Sequence, residues 1–150
     1  MPLLAALVLV LPFAAAPAPK PTLPPTPPGV AMRMSGLFAT ATPAVRAWVD
    51  GEARKLRALP RIDGTLVSAD ARQAFPAARP PLTPGQADVL AAMALYQVAN
   101  DLDSEARLAG DASPERVADF QSRKGKTIET LSNIMSKISK TDEAIAQNLK

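Results

Sequence analysis

The stretch Val89-Leu90-Ala91-Ala92-Met93-Ala94-Leu95-Tyr96 decides the fold, because eight consecutive apolar residues put apolar side chains on every side of a helix. Such a helix is either central in a bundle or contacted by other subunits. The chain offers one further amphipathic helix, predicted over about 43–59 between Thr42-Pro43 and Pro60. Because one such helix leaves part of the circumference open, we expect copies of the chain to cover it. The predicted self-association residues here are Val89, Leu90, Met93 and Tyr96.

Capping residues mark the limits of this apolar helix. Thr83-Pro84-Gly85-Gln86 predicts a capping box, and the helix is expected over about 84–108. A turn follows in which Gly110 can adopt a positive φ, and Ser113-Pro114 begins a second helix over about 114–149. A connection this short predicts an antiparallel hairpin over 84–150, with Gly110, Ser113 and Pro114 at the inter-helix turn. The predicted fold class is all-α, with this hairpin preceded by one amphipathic helix and Pro-rich irregular segments.

The last helix carries a heptad stripe, in which apolar residues recur at alternating spacings of three and four with one acidic interruption. The stripe consists of Ile128, Leu131, Met135, Ile138, Asp142, Ile145 and Leu149. This spacing predicts a packing face. The core of an ordinary hairpin and a contact between subunits would both produce this periodicity.

The first half of the chain is rich in proline, and it divides into two predicted regions. Residues 1–31 form an apolar N-terminus and a Pro-rich linker, whose part from 17 to 31 is expected to be extended and to stay out of any core. The region 32–83 contains the helix over 43–59, and its segment 60–83 is expected to be a loop with at most a short helical turn at 68–75.

The apolar run over residues 3–16 has the length of the apolar part of a signal peptide and is too short to span a bilayer. No basic residue precedes it, and each cleavage option after Ala16 or Ala18 places a proline directly after the cut. Alternatively, translation starts at Met32 or Met34 and the upstream stretch does not belong to the protein. The sequence leaves these interpretations open.

Composition argues against several functional classes. The chain contains no Cys and no His, which removes thiol nucleophiles, zinc-finger ligands and the usual general base near neutral pH. Asp101, Asp103 and Glu105 form a carboxylate group that is interpreted as a solvated face or helix end. The formal net charge is +3, yet no helix presents a basic face. We therefore predict a protein that is not an enzyme, with no catalytic, cofactor-binding or metal-binding residues, no small-molecule substrate and no nucleic-acid partner.

Two motifs of the predicted hairpin point to a family. The run Ser-Pro-Glu-Arg-Val-Ala-Asp-Phe-Gln over 113–121 resembles the turn and following stretch of type III secretion needle subunits. The run Asp-Glu-Ala-Ile-Ala-Gln-Asn-Leu-Lys over 142–150 is similar to the closing pattern of the same family. The resemblance covers the hairpin alone. The longer N-terminal region is more like that of the related inner-rod subunits, so both assignments stay open.

The resemblance implies a function and a set of contacts. Pro114 would mark the inter-helix turn and Gln121 a polar position of the second helix. The terminal segment used in subunit packing would contain Ile145, Gln147, Asn148, Leu149 and Lys150. Such subunits polymerise helically into a hollow conduit for protein export, which implies copies of the chain and other apparatus proteins as partners. The location would be the cell surface or outside, reached through the apparatus.

The alternative is a Sec-exported helical adaptor or chaperone-like protein of the periplasm or envelope. The apolar N-terminus and the Pro-rich spacer favour it. In both cases membrane association would come only through the apparatus or through the N-terminal apolar segment.

Overall fold

The computed structural model describes residues 22–77, 81–110 and 112–148, with side chains described up to residue 140. Within these ranges the protein contains five α-helices and no strand, so the all-α prediction is confirmed for this part of the chain. The helices are α1 (Pro28–Thr40), α2 (Pro43–Ala58), α3 (Gly64–Ala74), α4 (Pro84–Leu108) and α5 (Pro114–Asn148).

Helix starts follow the local capping chemistry. Thr83 Oγ1 accepts a hydrogen bond from Gln86 N at 3.2 Å, and Gln86 Oε1 accepts one from Thr83 N at 2.9 Å. This pair is the predicted capping box of α4. Thr42 caps α2 by accepting from Val45 N at 3.3 Å. The turn after α4 contains Gly110 at φ 57°, the positive φ that was expected there.

Helix α4 lies at the centre, and it packs against α1, α2, α3 and α5. Ala91, Ala92, Ala94 and Leu95 have no exposed surface. Three of these four side chains are a single methyl group, which lets the neighbouring helices approach closely. The same chain therefore supplies the cover for the apolar circumference. The expectation that only one further helix was available for this was wrong, because α1 and α3 also form.

Helix α1 corrects the prediction of an extended linker. The chain is helical from Pro28, because proline at the first helical position has no hydrogen bond to lose there. Met34 is fully buried, and Val30 packs against the core. Even the extended segment before α1 contributes, since Leu23 packs against the core as well. The expectation that residues up to 31 stay out of the core was therefore wrong for Leu23 and Val30, whereas the predicted extended backbone is present over 22–27.

Helix α3 corrects the prediction of a loop over 60–83. It starts at Gly64, four residues before the expected short turn, because Asp63 Oδ1 accepts from Thr65 N at 2.8 Å and caps it. Val67 and Ala71 are buried against the core. Gly64 sits close to α5, where a Cβ atom would lie 2.8 Å from Ile134 Cδ1.

Several predictions fall on residues that the structure does not describe. The apolar run 3–16 and the linker residues 17–21 lie outside the described residues, as do Leu149 and Lys150. For Ile145, Gln147 and Asn148 the backbone is helical, and their side chains lie outside the description. Among the described helices, none is both long enough and apolar enough to cross a membrane.

Candidate functional site

The predicted self-association residues of α4 lie inside the bundle of their own chain. Leu90 and Met93 are buried, and Val89 and Tyr96 are half-buried at the edge of the same core. The Tyr96 ring lies 6.1 Å from the ring of Phe38 on α1, measured between centroids. These four residues therefore make contacts within one chain.

The described part of the α5 stripe also packs within the chain. Leu131, Met135 and Ile138 are buried, and Ile128 is half-buried. Phe120 and Ile134 are buried beside them, although the sequence analysis did not name either as a packing residue. Their spacing of 14 residues, a multiple of seven, places them on one helix face and could have identified them.

A first polar network joins α2, α4 and α5 where α4 approaches its end. Arg57 Nη1 lies 3.2 Å from Asp101 Oδ2, and the same guanidinium donates to Glu105. Gln97 Nε2 donates to Asp101 Oδ1 at 2.9 Å. Arg123 on α5 donates to the backbone oxygen of Arg57. The acidic residues near the end of α4 thus hold neighbouring helices, which corrects their interpretation as a solvated face.

Two ion pairs connect α4 directly to α5. Lys124 Nζ lies 2.6 Å from Asp103, and this lysine is only 2% exposed. Lys137 Nζ lies 2.8 Å from Asp88 Oδ2. The Asp88 carboxylate is also 2.7 Å from Ser68 Oγ on α3, so one buried acid contacts two other helices. The position of an acid immediately before the apolar stretch is the signal that could have identified it.

On α2, Glu52 is 3% exposed and lies 2.9 Å from Lys55 Nζ. The hydrogen bond and the charge of Glu52 raise the pKa of Lys55 above its ordinary value. Within the described ranges, every buried side-chain nitrogen or oxygen has a hydrogen-bond partner. The same ranges contain no group of three carboxylates arranged to hold a metal ion.

A groove runs along one surface of the bundle. We use the name α5 groove for two adjoining cavities, of about 260 and 390 Å³, that share Arg61, Ile62, Thr130 and Asn133. The first cavity reaches Arg123 and the second reaches Lys137, so the groove follows α5 from residue 123 to residue 137, or roughly 21 Å of helix. On its other side are the end of α2 and the segment leading to α3.

The α5 groove has an apolar floor and a rim of mixed charge. Leu56 and Ile62 contribute to the floor, and Leu59 is 47% exposed. Arg61 and Lys126 lie on the rim with exposed side chains, and neither has an ion-pair partner in the part of the chain that the structure describes. Two exposed carboxylates, Glu129 and Asp63, also line the groove. Arg61 and Lys126 can pair with acidic residues of an amphipathic segment.

Comparison of the chain with protein-family models, with curated proteins and with solved structures gave no match.

Proposed function

We propose that this protein is a structural helical subunit that associates with copies of itself through the end of α5, as a needle or inner-rod subunit of a type III secretion apparatus does. The observation that supports the proposal is the difference in length between α5 and α4. Helix α5 has 35 residues, and α4, its main partner, has 25.

The proposal takes α4 and α5 as an antiparallel hairpin. The pairs Asp103–Lys124 and Asp88–Lys137 support this, because residue numbers on α5 rise as those on α4 fall. When the same register is continued to the start of α4, Pro84 lies level with about residue 141 of α5. The rest of α5, as far as Asn148, would then extend roughly 10 Å beyond α4.

The stripe of α5 continues in sequence past that level. Ile138 is the last buried stripe residue that the structure describes, and Ile145 and Leu149 follow at the same spacing. In the proposed hairpin, the start of α4 lies level with about residue 141, so α4 does not reach these two positions and cannot cover them. A helix of another copy is the partner that such a stripe fits.

The proposal does not depend on surplus apolar surface at 89–96. Leu90 and Met93 hold the bundle together, and the contact between copies is assigned to the end of α5. A contact between one end of a subunit and a different surface of the next subunit is heterologous. Repeating such a contact generates a filament if the rotation between neighbouring subunits does not close into a ring. Such a filament would be the conduit for protein export, located at the cell surface.

A second candidate is favoured by the central position of α4. A bundle that covers its most apolar helix with its own chain resembles a self-sufficient adaptor, exported by the Sec pathway to the periplasm or envelope. The apolar run at 3–16 fits the signal that such export needs.

Sedimentation of the full chain over a range of concentrations tests the first proposal. We expect large assemblies that grow with concentration, and we expect Ile145→Asp to abolish them because a charge would enter the packing stripe. Ala118→Asp is the matched control, since Ala118 is exposed near the opposite end of α5. This variant should assemble like the original chain.

A chain that stays monomeric at high concentration would overturn the assembly proposal. N-terminal sequencing then separates the two candidates. A mature chain that begins near residues 17–20 favours the exported adaptor, and one that begins at Met32 or Met34 favours the secretion apparatus.

A further inference from the structure

The α5 groove and the end of α5 are complementary parts of the same chain. The C-terminal segment, residues 142–150, would be roughly 13 Å long if it were helical throughout, and the groove follows roughly 21 Å of α5. A terminal helical segment of this size therefore fits within the groove. The diameter of a helix with its side chains is roughly 10–12 Å, so only one apolar face would be buried.

Charge supports the same pairing. The stripe of the terminal segment includes Asp142, and Glu143 follows it. The groove supplies Arg61 and Lys126 on its rim, both exposed and both without an ion-pair partner within the described ranges, and Glu129 lines the same cavity. An acidic residue that interrupts an apolar stripe is costly in a dry core and is accommodated beside a cation such as Arg61.

We infer that the α5 groove of one copy binds the C-terminal segment, residues 142–150, of a second copy. This inference rests on the proposed self-association and names the surface that receives the terminal segment. Ile145 and Leu149 would pack on Leu59 and Ile62, and Asp142 would pair with Arg61.

A chain cannot fill its own groove in this way. Asn133 in the groove and Ala146 in the terminal segment are 13 residues apart on one continuous helix, which separates them by roughly 20 Å. The contact must come from another copy. Because the donated segment and the receiving groove are different surfaces, each bound copy leaves one of each free, and the chain of contacts continues.

Disulfide cross-linking tests the inference on the full chain, which contains no cysteine of its own. Asn133→Cys places a thiol in the groove, and Ala146→Cys places one beside the terminal stripe. The two variants, one with an affinity tag that changes its mass, are mixed and oxidised mildly. We expect the mixed disulfide dimer to form at least tenfold faster than in a matched mixture of Gln73→Cys with Ala146→Cys. Gln73 is the control position because it is exposed on α3, outside the groove.

Charge reversal provides the second measurement. Arg61→Glu combined with Lys126→Glu should weaken self-association at least tenfold by sedimentation. Adding Asp142→Lys and Glu143→Lys should restore it, because the pairing is then reversed in sign. Both rim residues are exposed, so these variants keep the core intact.

The outcomes separate this inference from the proposed function. If the original chain assembles and Ile145→Asp abolishes assembly, but the groove cysteine cross-links no faster than Gln73→Cys, the groove is not the receiving surface and the proposed function stands. If cross-linking is faster and charge reversal is rescued, the inference holds. If the original chain is monomeric, both fall together.

Discussion

Helices α4 and α5 begin in the same way and end up in different environments. Each starts with proline after a hydroxyl residue, Thr83 or Ser113. From Ala87 to Val98, α4 is buried on nearly every side, whereas α5 buries one face and exposes charged residues such as Lys126 and Glu129 on the other. An apolar circumference is thus found on the central helix, and a single stripe is found on a helix that packs mainly against α4, with further contacts to α3.

The difference has a consequence for assembly. The apolar surface of α4 from Ala87 to Val98 is covered within the chain, so it offers little to another copy. Helix α5 is ten residues longer than α4, with 35 residues against 25. In the proposed assembly, the contact between copies is therefore assigned to the end of α5, although α4 has the more apolar sequence.

The largest expected effect tests the central position of α4. Leu95 has no exposed surface, so Leu95→Ala should lower the free energy of unfolding by about 2–5 kcal/mol, through lost burial and the cavity left behind. Leu108 belongs to the same helix and is 86% exposed. Leu108→Ala should change the free energy by less than about 0.5 kcal/mol. Urea unfolding of both variants is the measurement, and equal effects would contradict the central position of α4.

The next prediction tests the polar link between α4 and its neighbours. Asp88→Ala removes the contacts to Ser68 and Lys137, and it should lower the free energy of unfolding by about 1.5–3 kcal/mol, as is typical of hydrogen bonds to charged groups. Asp50→Ala is the control, since Asp50 is exposed on α2 and its carboxylate makes no hydrogen bond or ion pair with the described residues. A loss as small as that of the control would show that the buried carboxylate does not stabilise the bundle.

The limits of α4 and α5 could be predicted from sequence because caps act locally. Thr83 and Gln86 are three residues apart, and their hydrogen bonds need nothing from the rest of the chain. Helix α1 was missed because prolines before Pro28 indicate extended chain, while a proline at the first turn of a helix costs little. Helix α3 is short and contains only two large apolar residues, Leu66 and Val67, so its periodicity was weak.

The partners of each face were harder to predict. Periodicity identifies a face and says nothing of what covers it, so the apolar surface of α4 was assigned to other copies although α1 and α3 cover it. The links Arg57–Asp101 and Asp88–Ser68 join residues 44 and 20 positions apart. No local rule in a single sequence connects such positions.

A smaller effect compares the caps of the two helices. Thr83→Ala should lower the free energy of unfolding by about 1 kcal/mol, because it removes one half of a reciprocal capping box. Ser113→Ala should cost less, since the cap hydrogen bond that Ser113 Oγ accepts from Arg116 N is long, at 3.4 Å, and its other hydrogen bond is with the exposed carboxylate of Glu115. Thermal unfolding of both variants measures the difference. If Ser113→Ala were the more damaging, the start of α5 would be the more firmly capped of the two.

The smallest effect is a pH dependence at the start of α5. The hydrogen bond from its own backbone N–H, followed by the one with Ser113, lowers the pKa of Glu115 below its ordinary value near 4.5. A carboxyl group with a lowered pKa in the folded state stabilises the protein above the unfolded-state pKa, and the stabilisation is lost as the pH falls through the folded-state pKa. Glu115→Gln should therefore be less stable than the original chain near pH 7, and the difference should shrink as the pH falls through the folded-state pKa of Glu115. Ser113→Ala removes one of the two causes, so it should show a weaker dependence over the same range. Unfolding midpoints in urea from pH 7 to pH 3 measure all three chains, and a difference that grows as the pH falls would reverse the sign assigned to this carboxylate.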